Sequence, residues 1–174
     1  MELAAHDFMD FDPHKSSPMG PDGCFDANHP DNNGLETIWC PTCELTLLYE
    51  EKYSHISRAD FWVASTNAVI RQTSVDNALD LRDTFLWGRK DVDSCEGSGD
   101  RLPKATGCDE TEEVFLRKMG LEWRDAVALM GAHTLGRGDF SGHNGNWVGT
   151  DEEAQVSFQR IKYLQPNLRS HSFI

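Results

Sequence analysis

Apolar residues recur with helical spacing in three stretches of the chain. In "SRADFWVASTNAVIRQT", residues 57–73, Val63, Asn67 and Ile70 share one face, Ser57 stands where a cap would, and Asp60 follows three residues on. The spacing predicts a helix over 57–73 with a partly polar stripe. A second, over about 110–119, is predicted by Val114, Phe115 and Met119, with Asp109 and Glu112 as a capping box and Gly120 as the stop. A third begins near Arg124, where Ala126, Leu129, Met130 and His133 fall at offsets zero, three, four and seven. Its stripe therefore ends on an imidazole.

Between these stretches the period is lost. Residues 12–35 are dense in Pro, Gly, Asp and Asn and read as a long ordered loop. Residues 74–108 read as turns with very short strands, and "WGRKD" at 87–91 is their most structured part. No repeat or hairpin series is visible, so the class is mainly α, and 174 residues suit one domain.

Charge narrows the function. A formal net charge of −13 repels nucleic acid and anionic lipid and tolerates cations such as calcium. No run approaches the ~20 apolar residues that span a bilayer, and "MELAAHDFMDFD" has neither the basic region nor the apolar core of a signal. Neither nucleic acid nor membrane is an expected partner. The five cysteines, Cys24, Cys40, Cys43, Cys95 and Cys108, favour oxidised pairs and with them a secreted setting. Cys95 and Cys108 are expected to clamp the loop between two helices. Zinc is the rival reading, because Cys40-Pro-Thr-Cys43 has ligand spacing, although Cys95 and Cys108 stand too far apart for a second such pair. Covalent haem attachment there would need a histidine in place of Glu44, and a redox role finds no βαβ pattern around the pair.

A histidine on an apolar face is usually a buried imidazole satisfied by a carbonyl. Here it lies in "DAVALMGAHTLGRG", which resembles the proximal histidine motif of the plant, fungal and bacterial haem peroxidase superfamily. "SHISRADFW", "GRKD" and "RLPKA" precede it in that family's order, and "LAAHDF" at 3–8 resembles the distal motif. The resemblance covers about residues 2–155. It implies a partial haem-peroxidase fold of orthogonal helices around a haem cleft, without the usual first and C-terminal helices. Residues 1–155 would form this incomplete domain, and residues 156–174 a divergent tail.

The resemblance also implies roles. His133 would ligate the iron of haem b, leaving the opposite face open to peroxide. His6 would move the peroxide proton as general base and acid, and Asn32, in "DNNGL", would orient it. Hydrogen peroxide and a small-molecule electron donor would be the partners of a monomer acting under oxidative stress. A distal calcium site would draw on Asp7, Gly20 and Asp22, with Cys24 where the family has a serine hydroxyl, and Thr134 would open a proximal cation site with Thr150 or Asp151. Asp60, Arg89 and Asp91 resemble structural residues that anchor loops. Trp62, Trp123 and Trp147 are read as core.

Two departures stand against turnover. Glu2 occupies the position, four residues before His6, where the family has an arginine. A carboxylate there opposes the charge developing on the leaving oxygen, and such terms are commonly worth about 2.7–4 kcal/mol. The aspartate expected to accept the proximal ring N–H would lie beyond Ile174. The alternatives are thus an inactive peroxidase fragment and a cysteine-based zinc- or calcium-binding module.

Overall fold

The computed structural model describes residues 1–104 and 107–134, with His133 and Thr134 described by their backbone alone. Five helical segments carry the architecture: α1 (Glu2–Met9), α2 (Glu44–Leu48), α3 (Arg58–Thr73), α4 (Cys108–Thr111) and α5 (Trp123–Met130). Wider π-type turns continue α2 through Tyr49–Tyr53 and α4 through Glu112–Lys118, and a 3₁₀ turn, Gly131–Thr134, continues α5. The described residues contain no strand. The mainly α reading holds.

α3 forms where its pattern predicts. Ser57 is the N-cap, its hydroxyl accepting the Asp60 backbone N–H at 3.1 Å. The burial differs from the expected stripe. Ala59, Asp60, Phe61 and Trp62 in the first turns are buried, whereas Val63, Asn67 and Ile70 are only half-buried. The reason is the company at that end: Trp39 meets Trp62 edge-on at 5.0 Å, and Tyr49 and Tyr53 lie 5.1 and 5.4 Å from Phe61.

α1 joins two apolar clusters. Its Leu3 and Ala4 pack with Phe61 and Trp62, bordered by Phe25, Ile38, Trp39 and Leu45. Its Phe8 and Met9 pack against Val114, Phe115 and Ala126, with Leu129 and Met130 alongside. An eight-residue helix this short is marginal alone, so its position is set by these contacts.

The remaining helix ends correct the sequence reading in detail. α4 starts at Cys108 after Gly107, which puts Asp109 inside the first turn rather than at the cap. Asp109 still suits the positive end of the helix dipole there. α5 has a capping box made by Glu122 and Asp125. The described residues of 74–108 hold 3₁₀ turns in place of the expected short strands, with bonds such as Ser74 Oγ accepting from the Leu79 N–H.

Asp60 and Asp91 anchor that region onto α3. Asp60, 3% exposed, accepts from the N–H groups of Gly88 and Arg89 and pairs with the Arg89 guanidinium at 2.8 Å. Asp91 accepts the N–H groups of Arg58 and Ala59 at 2.9 and 3.0 Å. Gly23 lies against the same turn: a Cβ there would come within 2.8 Å of Ala59 N and Asp91 Oδ1, and its φ is +72°. Only glycine suits it.

Two disulfides form, and they are not the expected one. Cys24 is bonded to Cys95 and Cys40 to Cys43, leaving Cys108 free and exposed. Cys95 is held instead beside the loop that follows α1, because Val92 N–H bonds to Asp22 O and Ser98 Oγ accepts from Asp26 N–H. Of the tryptophans, Trp62 is core at 2% exposure and Trp123 is on the surface at 45%; Trp147 lies outside the described residues.

Candidate active site

The middle of α1 presents His6, flanked by the two clusters. Its Nδ1 lies 2.9 Å from Asn32 Oδ1. An amide oxygen only accepts, so the imidazole donates through Nδ1, and in the neutral ring Nε2 carries the lone pair. Asn32 is 1% exposed and fixed in turn, because its Nδ2 donates to the Asp26 carbonyl at 2.8 Å. The Asp26 N–H donates to Ser98 Oγ at 3.2 Å, and the Ser98 N–H to the Cys95 carbonyl at 2.9 Å. The ring orientation of His6 is thus tied, through Asn32, Asp26 and Ser98, to the Cys24–Cys95 bridge.

The loop after α1 is organised by carboxylates. Asp7 and Asp10 are fully buried. Asp7 accepts the N–H groups of Asp22, Gly23 and Cys24 at 3.1–3.3 Å, and Asp10 accepts that of Gly20 at 2.7 Å. Arg101 closes the outside of the loop by donating to the carbonyls of Asp10, Ser17 and Pro18. Burial pushes Asp7 up to about 8 against the bonds from Gly23 and Cys24, and pushes Asp10 up to about 8 against that from Gly20. Asp22 is raised to about 6, again chiefly by burial.

The expected calcium ligands Asp7, Gly20 and Asp22 therefore meet in one loop, where Asp22 Oδ1 is buried without a hydrogen-bond partner. Both Asp7 oxygens are taken by backbone N–H groups, and Cys24 is in a disulfide. Among the described residues, no three His, Cys, Asp or Glu side chains are grouped so that they could hold a metal ion. That includes the cysteines weighed for zinc. The side chains of His133 and Thr134, and Thr150 and Asp151 entirely, lie outside the described residues.

α1 and α5 wall a cleft. Glu2, Ala5, His6 and Met9 line it from one helix, Leu129 and Met130 from the other, and Phe115 closes it. Ala132, in the turn that also holds the backbone of His133, belongs to the same lining. The cavity is about 60 Å³, small beside the ~300–1,000 Å³ of ordinary ligand pockets. Its walls are mostly apolar, with one imidazole base and one carboxylate, Glu2, a helical turn apart.

Residues 14–165 match the protein family described as "Peroxidase". The chain belongs to the peroxidase family. This bears out the resemblance to the plant, fungal and bacterial haem peroxidase superfamily and the helical fold it implied. Peroxidase relatives include L-ascorbate peroxidase 3 of Arabidopsis thaliana, 34% identical over 85% of this chain and 50% of the relative. The cytosolic L-ascorbate peroxidase 1 of Oryza sativa subsp. indica is also 34% identical, over 85% of this chain and 58% of its own length. Mitochondrial cytochrome c peroxidase of Emericella nidulans is 45% identical over 55% of this chain and 26% of its own. The chain thus spans about half the length of the ascorbate peroxidases it matches.

His6 and Asp7 precede the matched residues 14–165, so the likeness of the distal end to the family rests on "LAAHDF" and on the bond to Asn32. Sequence reasoning missed Asp10, although its position one turn after Asp7 was a usable signal. It also missed Asp26 and Ser98, which carry no motif and become connected only through the fold.

Proposed function

We propose that this chain is a haem-dependent peroxidase that reduces hydrogen peroxide and oxidises a small-molecule donor by single electrons. The observation that carries the reading is the His6–Asn32 bond, which fixes the imidazole on a helix that walls an apolar cleft. The chemistry of the residues suits a planar apolar macrocycle, with His133 as the iron ligand and the α1 and α5 side chains as its two walls. At about 60 Å³, the cleft as it stands is too small to admit that macrocycle.

Haem b, when bound, would supply the electrons and the open iron position that peroxide reduction needs. The chain's own part is proton handling and exclusion of water. His6 Nε2 takes the proton from the attacking peroxide oxygen, while Asn32 holds the ring and stabilises the imidazolium through Nδ1. The same nitrogen then delivers that proton to the departing oxygen, which leaves as water. Phe115, Leu129 and Met130 keep solvent off the transfer path.

The donor is proposed as a small molecule, with ascorbate the first to try, since relatives of this chain bear that name. Removal of peroxide under oxidative stress is the corresponding role, carried out by a monomer. Calcium is a separate proposal: Asp7, Gly20 and Asp22 meet in one loop, where Asp22 Oδ1 is buried without a hydrogen-bond partner.

One observation favours a second reading, a peroxidase-like chain without turnover. Glu2 lines the cleft beside His6, where it opposes negative charge on the leaving oxygen. Reconstituting the chain with haem separates the two. A Soret band lost in His133→Ala, with peroxide-dependent ascorbate oxidation by the unaltered chain, supports the first reading. A Soret band indifferent to His133→Ala overturns the ligand assignment, and haem binding without turnover favours the second.

A further inference from the structure

The run Cys40-Pro41-Thr42-Cys43 takes no part in the site above. Its cysteines are bonded to each other across a separation of three residues, and both are part-exposed, with Pro41 and Thr42 exposed between them. The other bridge closes 71 residues, and its Cys95 is 4% exposed. A cross-link steadies a fold by removing chain freedom from the unfolded state, the more so the longer the loop it closes. Linkage makes this mutual: the fold protects a bridge to the degree that the bridge stabilises the fold. Cys24–Cys95 is therefore protected, and Cys40–Cys43 is left open to exchange.

We propose that Cys40 and Cys43 form an exchangeable dithiol–disulfide pair, opened by a dithiol reductant and closed again by hydrogen peroxide, while Cys24–Cys95 stays shut. The surroundings divide the labour between the two sulfurs. Cys40 Sγ lies 3.6 Å from the Thr42 hydroxyl, which can donate to a thiolate. Cys43 Sγ lies 3.6 and 3.2 Å from the carbonyl oxygens of Glu36 and Thr37, which favour a protonated thiol there.

In the closing direction the Cys40 thiolate attacks one peroxide oxygen, the O–O bond breaks, and the second oxygen leaves as hydroxide and is protonated to water. The Cys43 thiol then attacks the sulfenic sulfur, forming the disulfide and releasing a second water. In the opening direction a thiolate of the reductant attacks Cys43 and Cys40 leaves as thiolate. The reductant's second thiol resolves the mixed disulfide, so the reductant ends as a disulfide and the protein as a dithiol. The pair also bears on the fold, since Trp39 before it and Leu45 after it both pack against the cluster of Leu3, Ala4, Phe61 and Trp62.

The test needs no haem, so its outcome is separate from that of the peroxidase reading. The chain carrying Cys108→Ser is titrated with dithiothreitol under native conditions, alkylated, and mapped by peptide mass. Cys40 and Cys43 are expected to label at a dithiol concentration at least tenfold lower than Cys24 and Cys95. Hydrogen peroxide added after the reductant is removed is expected to restore the bridge. With Cys43→Ser, dimedone should trap a sulfenic acid on Cys40; with Cys40→Ser, none should form on Cys43. Simultaneous opening of both bridges, or earlier opening of Cys24–Cys95, overturns the proposal. So does a pair that peroxide fails to close.

Discussion

His6 Nδ1 and Asn32 Oδ1 are 2.9 Å apart although 26 residues separate them in sequence, and Asn32 is held from behind by the Asp26 carbonyl. The amide is therefore committed to one orientation, and the imidazole to one tautomer.

Asn32→Val keeps the bulk and removes both bonds. The Asp26 carbonyl and the His6 ring N–H lose their partners, which is expected to cost about 1–3 kcal/mol in urea unfolding. In the haem-loaded chain, the reaction with peroxide is expected to slow at least about tenfold, a part of the ~10²–10⁴ that general acid–base catalysis commonly supplies. Stopped-flow rates unchanged from the parent would separate Asn32 from the chemistry.

Glu2→Arg exchanges a carboxylate for a guanidinium in the cleft lining beside His6. With haem bound, the rate with peroxide is expected to rise by about 10² or more. A variant that binds haem and gains nothing would show that the reacting oxygen lies away from this end of α1.

The buried carboxylates set a pH dependence. Asp7 and Asp10 are raised to about 8 and Asp22 to about 6, so the folded chain holds protons that the unfolded chain has released. Their contribution is full below the ordinary carboxylate range near 4 and is lost as pH rises through about 8. The Tm is expected to fall between about pH 5 and about pH 9, and Asp10→Asn to flatten that decline. A Tm that climbs over this interval would mean that the three side chains are ionised in the fold. Millimolar calcium at pH 7 is expected to raise Tm saturably; a Tm that calcium leaves unchanged would remove the calcium reading.

The two bridges should differ in weight. Replacing Cys24 and Cys95 together by alanine removes a link across 71 residues, worth about 4 kcal/mol in chain entropy. The same change at Cys40 and Cys43 should cost about 1–2 kcal/mol. Denaturant midpoints of the two double variants compare them directly.

Asp60→Ala strips the acceptor from two backbone N–H groups and leaves the Arg89 guanidinium, 15% exposed, without its carboxylate. A loss of about 3–5 kcal/mol is expected. A loss under 1 kcal/mol would mean that water replaces the carboxylate freely.

Much of this was legible in the chain, and the reasons differ by element. α3 and α5 were readable because each carries apolar residues at helical spacing, and α3 also starts on Ser57, which is able to cap. α2 was not, because Leu47 and Leu48 sit on its exposed side and blur the period carried by Leu45 and Tyr49. His6 and Asn32 could be paired only through family motifs, since no local spacing links positions so distant. Cysteine pairing depends on where turns bring the chain, so the expected Cys95–Cys108 link gave way to Cys24–Cys95. Glu2 was visible as a departure from the first, and its place in the cleft keeps it at the centre of the question of activity.

α1 is held at both ends: Leu3 and Ala4 are claimed by the aromatic cluster, Phe8 and Met9 by the α4–α5 cluster, and His6 stands between them. Adjusting the helix to relieve one side must press on the other. Mutational drift in either half of the chain is therefore registered at the same imidazole, and substitutions around Trp39 and around Leu129 should compensate one another although the two residues belong to different clusters.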